Sequence, residues 1–456
     1  MCARGELIIV LPLLTTALWP ATAYDRDQLP ERMLQFGTGM LLRALCVAAV
    51  DSANRTRARA GRIVVVQSTT EGASRTSALK KQDGLFTLLE RGLSGGTPLE
   101  RVGLIGAISR ALAADSQWNV VRDVAANPSI QVIVSNVSEA GFRIDAPFPG
   151  RLTDALHARF TRVPDAPPVF VIPTELVPEN GPRLAAMVHE LAGKYDQPFR
   201  DWLEARVRFC SSLVDRIVTA PAPDQHAALE ATLGYRDALL TVTEPYALWA
   251  IEADPAELRT VFPIESASVV FAPDISFYHE RKLRLLNAVH TATAPVALLA
   301  GIRTVREASA HPLLGAFQKR LLFDEIIPAT DLPADQARAF ADQVLERFGN
   351  PWLEHEYRVI ATNQEEKFRI RVLPLILASF RTRALAEPAL QGTDNTSASN
   401  LSLAAAAHLT FTHAPLESLG EAARMPGFVE AIKRWMAILA RGGALAAVRD
   451  SIKRPP

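Results

Sequence analysis

The sequence predicts an α/β amino-terminal domain built on a mostly parallel sheet, followed by a mostly α-helical carboxyl-terminal domain. Three observations carry that expectation. Short apolar runs alternate with helical patterns over the first half of the chain, as strands do when helices cover both faces of a parallel sheet. The first of those runs ends in a glycine turn, Gly37-Thr38-Gly39. After about residue 265 the strand signal fades and amphipathic helical stretches take over.

At 456 residues the chain exceeds one usual core. Its segments are read as an apolar leader over 1–25, a sheet domain over 26–265 and a helical domain over 266–456. The 49 basic residues cancel the 49 acidic ones and no long basic run occurs, which argues against nucleic acid as a partner. Cys2, Cys46 and Cys210 lack metal-ligand spacing, and the nine histidines form no H-x-E pattern, so no metal is expected. The run from Leu7 to Leu18, between Arg4 and Ala21-Thr22-Ala23, has the outline of a secretory signal. Glu6 before it and Pro12 within it oppose that outline, and the run is too short for a membrane span. A misplaced start or a benign apolar extension, on a cytoplasmic protein, is the expectation.

In chain order, Met33-Leu34-Gln35-Phe36 reads as the first strand, leading through the glycine turn into the helical pattern from Leu41 to Leu45. Further strands are expected at Ile63 to Val66, Gln131 to Val134 and Val169 to Ile172, with a helix from Gln117 to Ala125. Helices are then expected at Arg281 to Ala300, Pro312 to Phe323, Ala334 to Phe348 and Phe428 to Arg441, with an exposed loop at Gln391 to Asn400.

Glycines at Gly37 and Gly39 let a backbone approach a pyrophosphate, and the next helix points its amino end at it. That makes Phe36, Gly37, Thr38 and Gly39 candidate dinucleotide contacts in a Rossmann-like domain. The third glycine of the usual fingerprint is missing. Arg43, one helical turn on, can either reach a phosphate or face solvent. The second strand ends in Gln67-Ser68-Thr69, with neither the acid that takes ribose hydroxyls nor an adjacent arginine. NAD is expected, and NADP stays open.

In the helical half, Lys282, Asn287 and His290 are spaced i, i+5, i+8. On an α-helix they point at roughly 0°, 140° and 80°, one broad face. A lysine, an amide and an imidazole converging without carboxylates suit proton transfer to an oxygen bearing developing negative charge. Lys282 is the candidate acid and base. Free lysine titrates near about 10.4, and flanking Arg281 and Arg284 plus burial are expected to lower it. Asn287 would donate to the oxyanion, and His290 would orient the substrate hydroxyl or hold the lysine. With the glycine turn this suggests a dehydrogenase, its ligand cleft expected between the domains.

Several ordered blocks resemble the long-chain mannitol dehydrogenase family over roughly residues 30 to 445. They are Leu34 to Gly39 with Leu42-Arg43-Ala44, Gln82-Asp83-Gly84-Leu85, Val134-Ser135-Asn136 with Glu139-Ala140-Gly141, and Leu213 to Ile217. Glu244-Pro245-Tyr246, Tyr278 to Lys282, Leu286 to Thr291, Arg347 to Pro351 and Lys367-Phe368 complete the set. The resemblance implies an NAD-type Rossmann domain, a helical second domain and metal-independent oxidation of a sugar alcohol or sugar acid. Asn136 and Glu139 would line the nicotinamide side. Asp215 and Lys367 would contact substrate, Lys367 offering a cation to a carboxylate.

The uronate branch, reducing a keto-uronate, is favoured by Thr174-Glu175-Leu176-Val177, where polyol enzymes tend to carry Asp-Asn at the middle two positions. Asn180 is the nearest amide, and no role is carried over to it. Thr38 and Met40 stand where the nearer relatives carry Glu and Asn. A different uronate epimer, a polyol, a dinucleotide-binding sensor without turnover and an exported carbohydrate-binding protein are the alternatives. A small sugar acid is the only partner expected, and oligomeric state is left open.

Overall fold

The structure is a computed structural model that describes residues 11–69, 72–386, 399–425 and 427–453. The first ten residues of the leader and residues 391–398 of the expected loop lie outside the described residues. The chain divides into one unit of Met1–Arg91 with Leu99–Ile275 and another of Gly92–Pro98 with Ser276–Pro456.

Thirteen strands are described, all in the first unit except the tip of one hairpin. In chain order they are β1 (Glu31–Phe36), β2 (Arg62–Gln67), β3 (Phe86–Ser94), β4 (Thr97–Ile105), β5 (Ile108–Ala113) and β6 (Val132–Ser135). Then come β7 (Val169–Pro173), β8 (Val207–Phe209), β9 (Ser212–Asp215), β10 (Val218–Thr219), β11 (Thr241–Thr243), β12 (Leu248–Glu252) and β13 (Val269–Ala272).

The main sheet runs β5-β2-β1-β6-β7-β8, and every pairing in it is parallel. Counted among themselves the strands stand in the order 3-2-1-4-5-6, which reverses between β1 and β6. That reversal is the switch point at which doubly wound sheets bind nucleotides. Both faces are buried, and side chains alternate between them. Ile63 and Val65 join one core with Met33, Val132 and Val134. Val64 and Val66 join the other with Leu34, Phe36 and Ile133. Burial on both faces explains why β2 reads as the unbroken run Ile63-Val64-Val65-Val66. Smaller sheets, β10-β11-β3-β4 and β13-β12-β9, complete the unit.

The described part of the leader belongs to this unit. Leu14 is fully buried. Its N–H donates to the Arg236 carbonyl at 2.9 Å, and the Arg236 N–H donates to the Pro12 carbonyl at 2.8 Å. Thr16 donates from N and Oγ1 to Asp83 Oδ2, both at 3.0 Å. The Trp19 ring lies where a Cβ on Gly106 would stand. The Tyr24 hydroxyl donates to buried Asp51 at 2.8 Å. Among the described residues no helix is long and apolar enough to cross a membrane.

The second unit is helical. Ala334–Phe348 occurs with the bounds its periodicity predicts. The expected helix from Arg281 to Ala300 is instead three pieces. An α-helix over Ser276–Arg281 runs into a π-helical turn over Lys282–Asn287, and an α-helix continues over Ala288–Leu299. That last helix is almost wholly buried, as its run of alanines, threonines and valines permits. The helix Gln364–Arg371 packs against it, and Gln364 Nε2 donates to the Thr291 carbonyl at 2.9 Å.

Candidate active site

The glycine turn leaves the carboxyl end of β1 at the switch point. Gly37 has φ +119°, and a Cβ there would stand 2.7 Å from the Asn136 carbonyl, so this position requires glycine. Its N–H donates to the Val66 carbonyl at 2.9 Å, pinning the turn to β2. Gly39 caps the helix that begins at Met40, and a Cβ there would meet nothing within 4 Å. Open space at a helix amino end suits an incoming anion.

Two side chains proposed for this turn point elsewhere. Phe36 is buried, its ring edge-on to Phe148 with centroids 5.4 Å apart, so only its backbone borders the turn. Arg43 faces neither solvent nor an open phosphate position. Its Nη1 donates to the Thr38 carbonyl at 2.8 Å and its Nη2 to Thr241 Oγ1 at 3.1 Å. Burial lowers its basicity to about 10. Arg43 shapes the turn from beneath. The cation that sequence reasoning missed is Arg75, whose Nε donates to Thr38 Oγ1 at 3.1 Å. Eight residues beyond β2, it carried no spacing signal.

At the end of β6, Asn136 donates from Nδ2 to the carbonyl and the hydroxyl of Thr174, at 3.1 and 3.0 Å. Glu139 is exposed. Behind them lies Glu175, of the stretch that favours the uronate branch. Its carboxylate accepts from the Val137 N–H at 3.0 Å and from Ser135 Oγ at 3.1 Å. Burial pushes its pKa up, against those hydrogen bonds. Asn180 is a clamp, donating to the carbonyls of Pro173, Glu175 and Ser212 and accepting from Ser212 N–H. No amide hydrogen is left for an oxyanion. Asp215 ends β9, buried and in register with Leu248.

In the helical unit the π-helical turn decides how Lys282 and Asn287 are presented. A π-helical turn closes i→i+5 hydrogen bonds and is wider than an α-turn, so Asn287 comes back towards the side of Lys282 instead of standing 140° away. Arg281 stacks over Phe340 at 4.4 Å, and Arg284 pairs with Glu280 at 2.9 Å. Of the two arginines expected to press on the lysine, Arg284 has its charge matched by a carboxylate.

His290 follows one α-turn beyond Asn287. Its ring lies 4.4 Å from Phe348 and 5.1 Å, edge-on, from His355. Burial, then His355, Arg347 and Arg371, hold its pKa well below 6.5, which favours the neutral imidazole. Lys367 spends one donor on the Ile360 carbonyl at 2.9 Å. Among the described residues no group of three or more His, Cys, Asp or Glu is placed to hold a metal.

A dinucleotide-type turn at the switch point of a 3-2-1-4-5-6 sheet marks the first unit as a Rossmann-type domain; in the second unit a lysine, an amide and an imidazole lie on one helical stretch. Residues 31–261 match the mannitol dehydrogenase Rossmann domain, and 274–408 match the mannitol dehydrogenase C-terminal domain. The chain belongs to the mannitol dehydrogenase family and is an oxidoreductase.

It is 38% identical over 366 residues to the altronate oxidoreductase of Halalkalibacterium halodurans, covering 77% of this chain and 71% of the relative. It is 36% identical over 370 residues to that of Bacillus subtilis, covering 77% and 76%. The fold also matches the mannitol 2-dehydrogenase of Pseudomonas fluorescens, solved with NAD and D-mannitol. That match has TM-score 0.70 and 22% identity, covering 95% of this chain and 96% of the other. A substrate-free D-sorbitol dehydrogenase matches with TM-score 0.79 and 20% identity, covering 96% and 100%.

Proposed function

We propose that the chain is an NAD-dependent reductase of a keto-uronate, interconverting tagaturonate and altronate by metal-independent hydride transfer. The observation that carries this is the presentation of Lys282 and Asn287 on one side of a π-helical turn with neutral His290 one turn on. The relatives named altronate oxidoreductase support the choice of substrate.

The dinucleotide fits the glycine turn because Gly37 admits close backbone approach and Gly39 leaves space at a helix amino end. Gly37, Thr38 and Gly39 would hold its pyrophosphate, with Arg75 supplying positive charge nearby, and Asn136 and Glu139 would border the nicotinamide. When bound, the nicotinamide supplies the hydride. The protein's own part is proton handling. As the substrate carbonyl gains negative charge, Asn287 donates an amide hydrogen to its oxygen. Lys282 then gives that oxygen a proton, and it takes the proton back in the oxidising direction. His290, neutral and hemmed in by Phe348 and His355, orients the hydroxyl. Asp215 and Lys367 are proposed as substrate contacts.

A cytoplasmic setting is part of this proposal. Soluble nicotinamide cofactors are scarce elsewhere, and Leu14 and Thr16 of the apolar leader bond to residues of the first unit. The test is a panel of tagaturonate, fructuronate, and a polyol run in the oxidising direction, following NADH absorbance. Preference for tagaturonate supports the proposal, and preference for fructuronate or the polyol moves the assignment to that substrate.

A further inference from the structure

The helix that packs against the His290 helix carries two cations, Lys367 and Arg371, on one side. Arg371 donates from Nη1 to Thr291 Oγ1 at 3.3 Å, next in sequence to His290. Gln364, at the start of the same helix, grips the Thr291 carbonyl, so the helix Gln364–Arg371 is fixed to this point at both ends. One turn before Arg371, Lys367 holds its ammonium on the Ile360 carbonyl. Arg284 steadies the far end of the helix, donating to the carbonyls of Ile370 and Arg371 at 3.0 and 3.3 Å.

Among the described residues no carboxylate is paired with Arg371 or Lys367. Burial alone lowers the basicity of Arg371. Lys367 is lowered by burial and then by Arg371, and His290 by burial and then by three positive or protonatable neighbours. A carboxylate within reach would act in the opposite direction. Glu365 and Glu366, on the same helix, are exposed. Arg284 is different, because Glu280 already matches it.

Partly buried positive charges without counter-charge destabilise a folded protein, and an anion that binds among them relieves that cost. A guanidinium adds a planar fork that fits a carboxylate with two parallel hydrogen bonds, which an ammonium cannot offer.

We propose that Arg371 is a specificity-determining residue that, with Lys367, holds the carboxylate of the sugar-acid substrate beside His290. This rests on the keto-uronate reading above. Arg371 supplies direction and Lys367 a point charge, so a neutral sugar of the same length leaves both unmatched.

The experiment uses the full-length protein and compares kcat/KM for tagaturonate with that for a neutral ketose of the same chain length. Arg371→Gln should lower the ratio of the two about 100-fold, chiefly through a higher KM for the uronate, with Tm and NADH binding retained. Arg371→Lys should recover about tenfold of that loss, because the charge returns without the fork. An unaltered ratio in Arg371→Gln, or equal losses on both substrates, overturns the assignment of Arg371 while the keto-uronate reading stands. A wild-type protein that prefers the neutral ketose overturns both.

Discussion

Asn287 lies five residues beyond Lys282 across a single π-helical turn, so the two side chains leave the helix on the same side. Such wide turns recur at functional sites, where the extra residue re-aims a side chain. Here the turn joins two α-helical pieces, and His290 lies in the buried stretch that begins at Ala288. Asn287→Ala should cut kcat about 100- to 1000-fold, the usual loss for one oxyanion donor, with a smaller change in KM. Lys282→Ala should cut it on the order of 100- to 10,000-fold. Steady-state rates with NADH check both, and wild-type turnover in either variant removes the proposed chemistry.

The two glycines of the turn should respond differently. Gly37→Ala places a methyl 2.7 Å from the Asn136 carbonyl at φ +119°, and it should lower Tm as well as cofactor binding. Gly39→Ala meets nothing in the free protein, so Tm should hold while NADH affinity falls about tenfold or more as the pyrophosphate loses its approach. Thermal melts with and without NADH separate the two effects. A Gly39→Ala protein that binds NADH normally would place the dinucleotide somewhere else.

Acid should destabilise the helical unit through its histidines. His408 stacks on Phe368 with ring centroids 4.1 Å apart, and burial lowers its pKa from 6.5 to about 4. The unfolded chain takes up that proton near pH 6.5 and the folded one only near pH 4. Stability is therefore fully present above pH 6.5 and declines as pH falls through that window. The loss from this one group is on the order of 3 kcal/mol at pH 4. His290, also lowered, acts in the same direction. His408→Phe should flatten the fall of Tm between pH 7 and 4, and an identical slope in the variant counts against a buried neutral imidazole.

Removing the described part of the leader should cost stability. A chain starting at Tyr24 loses buried Leu14, the two backbone bonds to Arg236 and the Thr16 contacts with Asp83. Burial of Leu14 alone is worth about 2 kcal/mol. Tm of the truncated protein should drop by several degrees. An unchanged Tm would mean that this segment contributes nothing to the fold.

Much of the sheet was legible because its central strands are buried on both faces. Unbroken runs such as Val169-Phe170-Val171-Ile172 have few other uses. The edge strands β5 and β8 were not legible: Ile108-Ser109-Arg110 has no apolar run, and β8 is three residues long. For the candidate site, residue types and spacing pointed to Gly37, Lys282, Asn287 and His290. They were not enough to say which arginine serves the glycine turn. Arg43 is drawn inwards by Thr241, 198 residues away, whereas Arg75 reaches Thr38 from the next helix.

By itself, then, the sequence determined what local rules govern: period, turn chemistry, and the kinds of group available for proton transfer. Only the tertiary structure decided what depends on distant neighbours. It widened one helical turn to align Lys282 with Asn287, buried His290 so that it stays neutral, and left Arg371 and Lys367 without a matching acid among the described residues. Burial and the electric field at a side chain are set by everything packed around it, and the elements that do the packing here are separated by tens of residues along the chain.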